Sequence, residues 1–318
     1  MDAPVKKIRV IFLGTGAIGR PSLEALVGDP SLDVLAVVTQ PDRPAGRSLH
    51  LTASPVKVAA QKFGLPILQP ETLRHAESLE PLTALDADIW VVVAYGQILP
   101  RAALVAPPLG CINVHASLLP RHRGASPIAA ALLEGDLDSG MTIMAMDEGL
   151  DTGDILAQVS CPILKTDTAG SLHDRLALLA PQPLLEVIHR LHAGTQSRAP
   201  QNPAFATLTK KISKSAGRLD WSQSAVRLER AVRAFSPWPG AFTELPNQQV
   251  LKIHAAELVT GSGPPGTVLP SPAGTCHVAA GEGALSLLRV QAAGGRALAI
   301  ADYLRGRALP PPGSGLTF

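Results

Sequence analysis

Short apolar runs alternate with helix-length segments through the first part of the chain. Ile8–Leu13, Val34–Thr39, Pro66–Leu68 and Ile89–Ala94 read as buried strands. Pro21–Val27, Ser54–Phe63 and Ala76–Leu85 read as the helices between them. This alternation predicts an α/β fold, a doubly wound and mostly parallel sheet with right-handed crossovers. In such sheets ligands bind outside the carboxyl ends of the strands.

One strand end gathers polar side chains. Cys111-Ile-Asn-Val-His115 alternates with period two, so Asn113 and His115 share a face opposite Ile112 and Val114. Ser117-Leu-Leu-Pro120 then ends the strand, because proline fixes φ and cannot donate to a ladder. An amide beside an imidazole suits the stabilisation of negative charge on a carbonyl oxygen, since both donate hydrogen bonds. The pair equally fits a satisfied structural contact. Downstream lie the basic loop Arg121–Gly124, a helix over Pro127–Glu134 that Ser126 can cap, and a strand over Met141–Asp147. That strand feeds Glu148-Gly-Leu-Asp-Thr-Gly-Asp154, a loop whose carboxylates could fold back onto His115.

Asp154–Pro162 reads as a further strand and Thr168–His192 as one long helix bent at Pro181 and Pro183. Residues 194–207, with two prolines and little apolar content, read as a linker dividing a domain 1–193 from a domain 208–318. The second domain opens with a helix near Ser224–Ala234 that carries Arg227, Arg230 and Arg233 on nearly one stripe. Short alternating segments broken by turn residues follow it, the pattern of a small barrel.

Aromatic residues make up only 3% of a chain that is 46% hydrophobic, so the core is built from Ala, Val, Leu and Ile. No signal-peptide core and no apolar run long enough for a bilayer are present. Cys111, Cys161 and Cys276 are odd in number, far apart and without metal-ligand spacing. They read as reduced thiols of a cytoplasmic protein that holds no metal. Charge is uneven: residues 1–207 hold 16 Lys/Arg against 20 Asp/Glu, a net −4, and residues 208–318 hold 12 against 6, a net +6. A basic C-terminal part fits an anionic partner such as nucleic acid, or simply a solvated basic surface.

Taken together, several stretches resemble the 10-formyltetrahydrofolate-dependent formyltransferases. They are Ala94-Tyr-Gly96, Asn113-Val-His115, Ser117–Pro120, Arg123-Gly124 and Gly149–Asp154. Thr39–Arg47, Ser54–Val58, and Lys214 through Trp221 to Pro239 extend the resemblance over nearly the whole chain. It implies a Rossmann-like catalytic domain followed by an OB-like β-barrel, and transfer of the formyl group of 10-formyltetrahydrofolate to the α-amine of initiator methionyl-tRNA. No membrane and no obligate protein partner are called for.

The resemblance also implies roles. Asn113 and His115 are the expected oxyanion donors, with Asp151 beside His115 to relay the proton. Ser117, Leu118, Leu119 and Pro120 are expected to line the folate pocket. Arg43 and Arg47 would reach the tRNA acceptor end, although Ser48-Leu-His50 stands where relatives often place lysines. Lys210, Lys211, Lys214 and Arg218 would follow the phosphate backbone. Three other readings compete: a formyltransferase acting on a small amine, a non-catalytic tRNA binder, and a dinucleotide enzyme. The last would use Gly14-Thr-Gly-Ala-Ile-Gly19 with Asp42 after the next strand. Any strand–turn–helix junction favours glycine, so that stretch is read as a turn.

Overall fold

Val10, Ile11, Phe12 and Leu13 are fully buried in β1 (Ile8–Gly14), which has a strand on each side and side chains packed on both faces. A strand so placed has no polar face, hence the unbroken apolar run. The computed structural model describes residues 6–45, 50–307 and 309–316. They fall into two compact units: one takes residues up to 124 with 138–162 and 173–209, the other takes 125–137, 163–172 and 210 onward.

After β1 come α1 (Arg20–Gly28), β2 (Leu32–Val38), two short strands β3 (Arg43–Ala45) and β4 (His50–Thr52), and α2 (Pro55–Lys62). Next are β5 (Ile67–Leu68), α3 (Ala76–Thr83), β6 (Ile89–Val93), α4 (Arg101–Leu104), β7 (Cys111–His115) and β8 (Arg123–Gly124). Then follow α5 (Pro127–Glu134), β9 (Asp138–Ala145), β10 (Ile155–Pro162), α6 (Ala169–Leu179), α7 (Pro181–His192) and β11 (Leu208–Thr209). Seven strands of the first unit form one sheet in the order β10-β9-β7-β6-β1-β2-β5. The five from β7 to β5 run parallel, and β9 and β10 add an antiparallel edge. Strand order reverses between β1 and β6, the switch point at which such sheets bind ligands.

Alternate residues of the central strands feed separate layers. Ile11 and Leu13 of β1 and Trp90 and Val92 of β6 pack with Leu79 and Leu82 of α3 and Ala103 of α4. Each fully buried Ile, Leu or Val side chain among them contributes roughly 1.5–3 kcal/mol. Elsewhere α1 packs with α2 and α7, burying Leu23 and Leu26.

Several local expectations change. Between β2 and α2, where no strand was expected, the chain carries the antiparallel ribbon β3–β4; Arg47 lies outside the described residues. The single bent helix over 168–192 is two helices, because Pro181 cannot donate to α6 and instead starts α7 at its first position. Ser126 precedes α5 but its side chain makes no capping bond. The strand expected from Met141 begins at Asp138. Residues 194–207 run against β10: Ala199 exchanges both backbone hydrogen bonds with Ile155, at 2.8 and 2.9 Å.

In the second unit α5 packs on α8 (Ala225–Ala234), which covers a sheet with its buried face, Leu228, Ala231 and Val232 among it. The sheet contains β12 (Ala241–Glu244), β13 (Val250–Val259), β14 (Val268–Leu269), β15 (His277–Ala279), β16 (Ala284–Ala292) and β17 (Leu298–Ala299), and α9 (Ile300–Gly306) packs on β16. All pairings are antiparallel, in the order β12-β13-β16-β15-β14 with β17 on β16. Register shifts at Ile253 and Ala255 mark bulges, which bend and twist a strand. The expected barrel is thus a curled half-barrel. The arginine stripe serves this unit's own packing. Arg227 pairs with Glu134 at 3.7 Å, Arg230 donates to the Glu134 carbonyl at the end of α5, and Arg233 grips Glu229. Cations suit a helix C-terminus, where the last carbonyls lack partners.

Candidate active site

Asn113 and His115 stand on one face of β7, as the period-two pattern requires, at the carboxyl end of a parallel strand. Asp151 comes to them from the loop between β9 and β10. Its Oδ1 accepts from Asn113 Nδ2 at 3.3 Å, its Oδ2 accepts from the Gly124 backbone N–H at 2.8 Å, and the same oxygen lies 3.6 Å from His115 Nδ1. The His115 and Asp151 side chains are 7% and 15% exposed, so both stand largely out of bulk solvent.

The second imidazole nitrogen is also engaged: His115 Nε2 is 3.0 Å from the carbonyl oxygen of His122. Both ring nitrogens thus face oxygen atoms, the Asp151 carboxylate on one side and the His122 carbonyl on the other. The arrangement sets an imidazole beside a carboxylate, with an amide donor alongside.

The loop reaches this position through strained and crowded backbone. Asp151 sits at φ 53°, a left-handed conformation that aspartate tolerates at roughly 1–2 kcal/mol. A Cβ on Gly153 would lie 1.9 Å from the Ala145 carbonyl oxygen, so the loop can close against the end of β9 only with glycine there. Asp147 accepts from the Gly149 N–H at 3.0 Å and from Thr152 Oγ1 at 2.7 Å. Gln201 braces the far side, donating to the carbonyls of Asp151 and Gly153 at 2.8 Å each and accepting from the Arg123 guanidinium. Gln201 gave no signal in sequence, lying in a segment that reads as a linker.

Ser117–Pro120 follows β7 directly. Ser117 Oγ donates to the Arg121 carbonyl at 2.7 Å. Thr142 Oγ1 donates to the Ser117 carbonyl at 2.6 Å and accepts from the Leu119 N–H, while Gln158 donates to the Leu119 carbonyl. Thr142 and Gln158 thus fix this turn from β9 and β10. A polar residue inside the apolar run Met141–Ala145 could have flagged Thr142, which is fully buried.

Arg43 is exposed at the start of β3, and Lys210, Lys211 and Lys214 are exposed in the second unit. Arg218 differs, since its Nη2 is 3.2 Å from Glu244 Oε2. Gly14–Gly19 is a turn: Thr15 and Gly16 donate to the Ala94 carbonyl, and Asp42 is taken up by Lys57 and Gln69. Among the described residues no group of three or more His, Cys, Asp or Glu could hold a metal ion, and no helix is long and apolar enough to cross a membrane.

An amide, an imidazole and a carboxylate at the switch-point edge of a parallel sheet, followed by a curled antiparallel domain, define a class. The chain belongs to the formyl transferase family: residues 6–188 match its formyl transferase domain and residues 211–308 its C-terminal domain. Relatives matched over nearly the full chain have a narrower name. The methionyl-tRNA formyltransferase of Ectopseudomonas mendocina (strain ymp) is 52% identical over 300 residues, 94% of this chain and 95% of that protein. Among solved structures, the sugar 3N-formyl transferase WlaRD covers 90% of this chain and 97% of its own at 17% identity and a TM-score of 0.65. HypX from Aquifex aeolicus, solved with tetrahydrofolic acid, covers 94% of this chain at 16% identity and a TM-score of 0.61; the match spans 47% of that longer chain. These two likenesses show the shared fold.

Proposed function

We propose that this protein transfers the formyl group of 10-formyltetrahydrofolate to the α-amino group of initiator methionyl-tRNA, in the cytoplasm, for the start of translation. The observation that carries the reading is the Asp151 carboxylate joined to Asn113, His115 and Gly124 at the end of β7. Relatives at 50% identity and above with the name methionyl-tRNA formyltransferase support the substrate.

An α-amine with a pKa of about 8 is already partly neutral at pH 7, so no base is needed to create the nucleophile. The tasks left are to hold amine and formyl carbon together, to stabilise negative charge on the formyl oxygen, and to move one proton from the amine to the leaving nitrogen. The donor set fits a formyl carbonyl. Asn113 Nδ2 carries two hydrogens and directs one at Asp151, so the other can meet the oxygen. His115 stands beside that oxygen, and Asp151 relays the amine proton, directly or through water, to the leaving nitrogen. Ser117, Leu118, Leu119 and Pro120 form the wall beside the folate.

For the acceptor, Arg43 contacts the tRNA end, and Lys210, Lys211, Lys214 and Arg218 follow its phosphates. Arg218, already paired with Glu244, contributes least. The test is to mix the protein with charged initiator tRNA and 10-formyltetrahydrofolate and to look for formylmethionyl-tRNA. Formylation of a free amino sugar or nucleotide instead would replace this reading with the small-amine one.

A further inference from the structure

Ser54-Pro-Val-Lys57 has a local explanation only in part. Ser54 caps α2 by accepting from the Lys57 N–H at 3.0 Å, and Pro55 fills the first helical position. Lys57 is the anomaly: a cation in the first turn opposes the helix dipole. Its ammonium turns away to donate to Asp42 Oδ2 at 2.6 Å and Gln69 Oε1 at 2.8 Å. Gln69 completes the triangle through Nε2, which donates to Asp42 Oδ1 and to the Gln40 carbonyl at 2.9 Å each. The Lys57 and Asp42 side chains are only 17% and 29% exposed, whereas the next residue, Arg43, is exposed.

This knot sits where β2 leaves the sheet and the β3–β4 ribbon begins. From it Gln40 Nε2 donates to the Tyr95 carbonyl at 2.8 Å, in the turn that follows β6. Gly96, at φ +82°, leaves no room for a side chain there, as a Cβ would lie 2.6 Å from Gln40 Nε2. The base of the ribbon is thus tied to the sheet edge at which β7 presents Asn113 and His115.

We infer that Lys57, with Asp42 and Gln69, is a positioning residue for the tRNA acceptor: the three side chains fix the base of the ribbon so that Arg43 is held at a set distance from the active-site edge. This rests on the reading of Arg43 given above. A purely structural tie between β2 and α2 makes a different prediction, because its loss acts whether or not Arg43 is present.

The experiment is a double-mutant cycle on the full-length enzyme. Lys57→Met and Gln69→Leu each raise KM for methionyl-tRNA about tenfold, with kcat and folate affinity within twofold of wild type. Lys57→Arg recovers most of the loss. On an Arg43→Ala background, Lys57→Met adds nothing. Additive losses in the double mutant, or a fall in kcat or folate affinity matching the rise in KM, overturn the inference and leave the role of Arg43 intact. Arg43→Ala without effect on KM overturns that role and the inference with it. Should Lys57→Met fail to fold, Gln69→Leu carries the same cycle.

Discussion

The carboxylate of Asp151 accepts the backbone N–H of Gly124 at 2.8 Å, so two loops that are 27 residues apart in sequence meet at one oxygen. The contact fixes the carboxylate so that Oδ1 meets Asn113 while Oδ2, the same oxygen, faces His115. Removing it takes the acceptor from the Gly124 N–H and the carboxylate away from Asn113 and His115. Asp151→Ala, His115→Ala and Asn113→Ala are each expected to lower turnover at least about 10²-fold with near-normal folding and tRNA affinity. A His115→Ala enzyme that keeps more than about a tenth of the activity is incompatible with the mechanism.

Arg43 leaves the sheet on a ribbon separate from the Ser117–Pro120 turn. Arg43→Ala should therefore weaken the use of tRNA and spare folate. Titration of the variant with folate alone provides the check, and an equal loss of folate binding counts against the assignment.

Lys210, Lys211 and Lys214 belong to a part of the chain with 12 basic residues against 6 acidic ones. Phosphate contacts release counterions, so affinity for tRNA should fall steeply as salt rises. Neutralising the three lysines should flatten the plot of log affinity against log salt by up to about one unit per lost contact. An unchanged slope means that this basic surface is idle. Because Arg218 is paired with Glu244, its replacement should move the slope less than that of any one lysine.

Two of the three thiols are shut away. Burial pushes the Cys111 thiol up to about 12 and the Cys276 thiol up to about 11, while Cys161 is half-buried. At pH 8 a thiol reagent should label Cys161 in the native protein and reach the others only as it unfolds. Three equal rates would contradict the packing around β7.

The hydrogen bond from Lys57 and then that from Gln69 hold the Asp42 carboxyl below its usual range. A carboxyl lowered on folding adds stability that is fully present above the unfolded value of about 3.9 and is lost as pH falls through the lower folded value. The stability gap between wild type and Asp42→Asn should thus stay level from pH 5 to 8 and close below about pH 4. A gap that does not narrow as the pH falls below about 4 excludes this source.

What was legible in the sequence was what depends on near neighbours. The period-two pattern of Cys111–His115 put Asn113 and His115 on one face, because strand geometry alone decides it. Apolar runs marked β1 and β6, since strands buried on both faces must be apolar throughout. Pro181 was visible as an interruption, though not as the start of a new helix.

Tertiary structure decided what depends on distant partners. By spacing alone the sequence offered three acidic residues in the Glu148–Asp154 loop; the resemblance named Asp151, and folding brings that residue against Gly124 and His115. Gln201, Thr142 and Gln158 support the site through hydrogen bonds across 16 to 78 residues, and no local pattern encodes such contacts. The same holds for charge. Arg227, Arg230 and Arg233 share nearly one stripe in the basic part of the chain, yet Glu134, the end of α5 and Glu229 occupy them. Sequence fixes the sign and spacing of a charge, but its availability depends on which groups folding brings within a few ångströms.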